Sequence, residues 1–81
     1  MKIKVKFFAM LRERVGSGEI TKEIREGSTV GELWADLKQE YPKLAPVEMR
    51  LLYAVNQNYV NADYVLKEQD EVVFVPPVSG G

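Results

Sequence analysis

The chain of 81 residues is 46% hydrophobic and 28% charged, carries a formal net charge of −1, and contains no Cys and no His. This composition argues against disorder, and the missing residue types exclude disulfides, a thiol nucleophile, thiolate and imidazole metal ligands and the usual neutral-pH proton carrier. The balanced charge gives no overall drive toward nucleic acid or anionic membrane, and a domain this small has little stability to give up for a catalytic cavity, so a binding or carrier module is expected.

The first segment, Lys2 to Phe8, alternates: Ile3, Val5 and Phe7 on one face, Lys2, Lys4 and Lys6 on the other. Period two with β-branched and aromatic residues predicts a half-buried strand with a solvated lysine face. A phosphate-binding stripe is the alternative for those lysines. Phe8 falls on the lysine side, so it either turns inward or stands exposed for a partner. The same alternation leaves no continuous apolar stretch for a signal peptide. Nowhere are there about 18 apolar residues in a row, as a spanning helix needs. The chain is therefore expected to be cytoplasmic, with no membrane and no nucleic acid among its partners.

Ala9 to Val15 predicts a two-turn helix, with Leu11 and Val15 on one face and Gly16 as its stop. Glu19 to Arg25 predicts a strand with Ile20, Lys22 and Ile24 sharing a face. After a turn at Glu26-Gly27-Ser28, Thr29 and Glu32 have the spacing of a capping box. Val30, Leu33, Trp34, Leu37 and Tyr41 then trace the apolar stripe of the main helix, which ends before Pro42. Trp34 and Tyr41 are expected in the core. Lys43 to Arg50 reads as a loop. Leu51 to Asn56 predicts a strand, Gln57-Asn58 a turn, and Tyr59-Val60 a short return strand. Lys67 to Asp70 predicts a polar turn. Glu71 to Val75 predicts a strand that is apolar on both faces, as a central strand is.

This order is α+β. The first two strands can pair antiparallel, and the last fits the slot beside the first. With the main helix packed across, the result is a β-grasp body over residues 1–75. The opposite sheet face then carries the lysines beside one side of the last strand, where exposed apolar residues form a docking patch. Phe8, Phe74 and Val75 are expected to line it.

Residues 76–81 read differently: Pro76-Pro77-Val78-Ser79-Gly80-Gly81. Two prolines end strand pairing and direct the chain outward as a stiff arm. The four residues after Pro77 span about 13–14 Å when extended, at ~3.3–3.6 Å each. Two residues without Cβ can thread a channel too narrow for other side chains, and they leave the last carbonyl open to attack. This predicts an acyl carrier, with Gly81 as its reactive residue. The bland alternative is a frayed terminus that happens to contain Gly.

The chain resembles the small, sulfur-carrying subunits of molybdopterin synthase, within the ubiquitin-like β-grasp sulfur carriers. The resemblance rests on Val5-Lys6-Phe7-Phe8-Ala9 with Arg12-Glu13 and Gly16, on Ala54-Val55-Asn56-Gln57, and on Asp70-Glu71-Val72 through Gly81. Residues 19–50 match in general pattern only. The resemblance implies that an E1-like activating enzyme uses ATP to adenylate Gly81, and that a sulfur donor then displaces AMP to give a thiocarboxylate. The arm would enter the large synthase subunit and pass sulfur to a pterin precursor of the molybdenum or tungsten cofactor, in a heterotetramer with two small subunits at the ends of a large-subunit dimer. It implies a chain that is not catalytic alone and binds no cofactor and no metal. Two positions depart from the pattern. Gln69 stands where Gly is usual, so a turn needing positive φ would be strained there, and Val75 stands where an aromatic is common. The alternatives are a sulfur carrier for thiamine or tRNA thiolation, a ubiquitin-like modifier joined to lysines, and an interaction domain with an idle tail.

Overall fold

The computed structural model describes residues 1–46 and 51–76. In chain order the elements are β1 (Lys2–Phe7), α1 (Met10–Val15), β2 (Glu19–Glu23), α2 (Val30–Glu40), a 3₁₀ turn at Pro42–Leu44, β3 (Leu52–Val55), β4 (Asn58–Val60) and β5 (Glu71–Val75). The strands form one sheet in the order β2-β1-β5-β3-β4. β1 and β5 run parallel, Lys4 opposite Glu71 through Phe7 opposite Phe74. The other neighbours are antiparallel. This is the β-grasp arrangement expected from the element order, with the doubly apolar strand β5 in the centre.

Helix α2 starts as its sequence predicts. The Thr29 hydroxyl accepts a hydrogen bond from the Glu32 backbone N–H at 3.1 Å, and the Thr29 N–H donates to Glu32 Oε1 at 3.0 Å. Two free donors of the first turn are thereby satisfied. The helix turns Val30, Leu33, Trp34 and Leu37 onto the sheet, and all four are buried. They meet Ile3, Val5 and Phe7 of β1, Leu11 of α1, Val55 of β3, and Val72 and Phe74 of β5 in a single core. Tyr41, expected in the core, is half-buried and packs at its edge. Lys22 shares the helix-facing side of the sheet by register with Ile3. It reaches the end of α2, where its Nζ lies 3.2 Å from Glu40. An inward-facing charge of this kind discourages pairing at the free edge of β2.

Three local expectations change. Strand β2 stops at Glu23, two residues earlier than predicted. Part of the expected loop after Pro42 is a 3₁₀ turn that buries Leu44. The β3–β4 hairpin turns at Asn56-Gln57, at φ 50° and 72°, one residue before the predicted Gln57-Asn58. Two consecutive positive φ values define the type I′ turn whose twist matches the flanking strands. Asn56 tolerates that backbone, and its side chain is also used. Its Nδ2 donates to Asp70 Oδ1 at 2.9 Å, and its Oδ1 accepts the Glu71 N–H at 3.0 Å. The Lys67 N–H donates to Asp70 Oδ2 at 2.8 Å. Asp70 is buried with both carboxylate oxygens engaged, and it ties the polar turn before β5 to the hairpin. That turn also keeps a positive φ, 67° at Gln69. The Gln69 N–H donates to the Lys2 carbonyl, and the Lys4 N–H to the Asp70 carbonyl, at 2.8 and 2.9 Å. These bonds set the register in which β5 enters beside β1.

Candidate docking face and arm root

Alternation along each strand sorts side chains between the helix face and the open face. β1 contributes Lys2, Lys4 and Lys6 to the open face. β5 adds Glu71, Val73 and Val75. Register carries the face onward, with Leu52 opposite Val75, Ala54 opposite Val73, and Tyr59 opposite Ala54. The result is half basic and half apolar. Lys4 lies 4.0 Å from Glu19 and Lys6 3.6 Å from Glu71. Exposed pairs like these contribute ~0–1 kcal/mol each. They partly neutralise the lysine row, which leaves less positive field for a phosphate than the sequence alone suggests.

The apolar half remains open to solvent. Phe8 is 50% exposed, Leu52 46% and Tyr59 74%, while Val73 and Val75 are half-buried. Tyr59 and Leu52 also line a shallow cleft with Leu51, Tyr53, Val60, Asn61 and Ala62 at the β4 edge. Leu52 and Tyr59 were not singled out from sequence. Strands β3 and β4 are only four and three residues long. Over so few residues period-two alternation is a faint signal, and only the register puts both side chains on the open face.

Of the three residues expected on the docking patch, Phe8 and Val75 lie on this side. Phe74 does not. Its position opposite Phe7 turns it toward α2, and it is fully buried. Its ring lies 5.1 Å from Trp34, 5.7 Å from Tyr53 in an edge-on contact, and 6.3 Å from Phe7. Phe74 is a centre of the core, and the expectation that it docks a partner is corrected.

Strand β5 ends at Val75. Pro76 is buried against the body. Pro77, Val78, Ser79, Gly80 and Gly81 lie outside the described residues, as do residues 47–50. Among the described residues no group of three acidic side chains could hold a metal ion. None of their helices is long and apolar enough to cross a membrane. The open face presents an apolar surface with a charged border, on the side of the sheet that β5 leaves at Val75.

Comparison with known proteins agrees with this geometry. The sequence profile of the ThiS family matches residues 5–81. The chain is 40% identical over 83 residues to a molybdopterin synthase sulfur carrier subunit of Chlamydomonas reinhardtii, covering all of both chains. It is 42% identical over 81 residues to the protein of that name in Escherichia coli K12, covering 98% of this chain and 99% of the other. Its backbone is similar to the crystal structure of small archaeal modifier protein 1 from Haloferax volcanii, with a TM-score of 0.88 and 25% identity over the full length of both.

Proposed function

The chain belongs to the ThiS family, and on that premise we propose that it is the sulfur carrier subunit of a molybdopterin synthase. In this reading an E1-like enzyme presents ATP to Gly81. A carboxylate oxygen attacks the α-phosphorus, pyrophosphate leaves, and an acyl adenylate forms. A donor at the oxidation level of sulfide then attacks the acyl carbon, and AMP departs with the bridging oxygen. The Gly81 thiocarboxylate delivers its sulfur to a pterin precursor held by the large synthase subunit, and hydrolysis returns the carboxylate. The chain supplies a recognition face and a thin arm, while acid, base, metal and cofactor chemistry belong to its partners. It works in the cytoplasm, where ATP is available.

One observation carries this reading: the family match runs unbroken through residue 81, past a strand that ends in the middle of the sheet beside an exposed apolar face. The arm, Pro76 through Gly80, is then the delivery segment, and Phe8, Val75, Leu52 and Tyr59 form the handle. Titration of the chain into the large subunit tests the handle. Phe8→Ala and Tyr59→Ala are each expected to weaken binding by about tenfold or more, the loss typical of a buried interface aromatic, with no change in melting temperature. Wild-type affinity in both variants would contradict it.

The backbone likeness to the archaeal modifier favours a second reading, in which the activated Gly81 is joined to lysine side chains. The two readings share the adenylate and differ in the nucleophile that attacks it. Isopeptide-linked Gly81 adducts in cells, without a thiocarboxylate, would select the modifier.

A further inference from the structure

The chain leaves β1 through a turn from Phe8 to Leu11, closed by the Leu11 N–H donating to the Phe8 carbonyl at 3.2 Å. Ala9, the first central residue of that turn, has φ 54° and ψ −131°. These angles are those of the first central position of a type II′ turn, which glycine normally occupies because a Cβ there crowds the adjoining backbone. Glycine takes two of the other positive-φ positions, Gly16 at φ 89° and Gly27 at φ 84°, and the polar residues Asn56, Gln57 and Gln69 take the rest among the described residues, so Ala9 is the one apolar residue held there. At Ala9 the chain keeps a methyl group instead. Packing does not explain that methyl, since Ala9 is exposed. Capping does not either, because α1 has no side-chain cap.

The place of the strain is informative. Phe7 stands opposite Phe74 in the parallel β1–β5 ladder. The ladder ends at that pair, and Phe8, 50% exposed, follows it as the residue before Ala9. The strained residue therefore directly follows the exposed Phe8, just beyond the end of β1. Strained conformations persist only where the surroundings over-determine them, and they cluster at positions where geometry matters for function. A Cβ also removes most of the backbone states that glycine would leave open.

We infer that Ala9 is a positioning residue, whose methyl-restricted turn holds Phe8 outward in the orientation that docking uses. The inference rests on the docking face proposed above. It predicts an opposition that a purely structural role does not. Ala9→Gly relieves the strain, so the melting temperature rises by a few degrees. It also frees the turn, so the order parameter of the Phe8 amide falls from about 0.85 toward 0.6. Affinity for the large subunit then falls by about tenfold, because one residue must be ordered at binding. Ala9→Ser, which keeps a Cβ, retains wild-type affinity.

The experiment is NMR relaxation on the free full-length chain and calorimetric titration with the large subunit, for wild type, Ala9→Gly, Ala9→Ser and Phe8→Ala. An unchanged Phe8 order parameter in Ala9→Gly overturns the inference without involving any partner. So does wild-type affinity in Ala9→Gly when Phe8→Ala binds weakly. If Phe8→Ala itself binds as wild type, or wild type does not bind, the docking reading fails and the order parameter still decides whether Ala9 holds Phe8.

Discussion

Phe74 and Phe8 have similar side chains and opposite roles. Phe74 is fully buried against Trp34, Tyr53 and Phe7. Replacing it with alanine is expected to cost ~3–5 kcal/mol, against a total stability of roughly 4–12 kcal/mol for a domain of this size. Phe74→Ala should therefore melt far below wild type or fail to fold, while Phe8→Ala stays within about 0.5 kcal/mol. Thermal melts of the two variants check this, and similar melts would show the assignment of faces to be wrong. Sequence could not place Phe74, because β5 is apolar on both sides and alternation does not say which side faces the helix. Gln69 makes a second point at this scale. Its positive φ costs a side-chain-bearing residue about 1–2 kcal/mol, and glycine there would lose about 0.5–1 kcal/mol to chain entropy. Gln69→Gly should raise the melting temperature by a few degrees, and a lower one would mean that Gln69 makes a contact worth more than its strain.

Among the elements, those with a strong local signal were legible. Strict alternation specified β1, and the capping box with its apolar stripe specified α2 almost to the residue. Thr29→Ala removes the acceptor for the Glu32 N–H and should cost about 1 kcal/mol, read as a fall of about 4–8 °C in melting temperature. No change would mean that tertiary packing alone sets the start of the helix. The β3–β4 hairpin was legible as a turn but was placed one residue late, since Asn56, Gln57 and Asn58 all suit turns. What decides it is long-range: Asn56 uses its side chain to hold Asp70 and Glu71, fourteen and fifteen residues away. A one-residue slip would move Tyr59 and the rest of β4 to the other face, so this network also determines where the apolar patch appears.

For the whole molecule, the described residues form one packed body with a single core. The core is a single cluster under α2, the open face is left for recognition, and β5 delivers the chain to Pro76 from the centre of the sheet. Sequence conveyed the fold well, because it rests on local pattern. It conveyed the docking face only in part, because that face is assembled by register from β1, β3, β4 and β5. A body independent of its arm predicts that Gly80→Val leaves the melting curve unchanged while blocking sulfur transfer, because the added side chain no longer fits a narrow channel. An altered melt would show the arm to be structural.

If Gly81 carries the sulfur, as proposed, intact mass spectrometry detects it. The full-length chain, incubated with a cognate activating enzyme, ATP and a sulfide source, should gain the mass difference of one oxygen replaced by sulfur. That gain should map to Gly81 and disappear when ATP is withheld. An unchanged mass, with the activating enzyme shown to be competent on another carrier, would contradict the account.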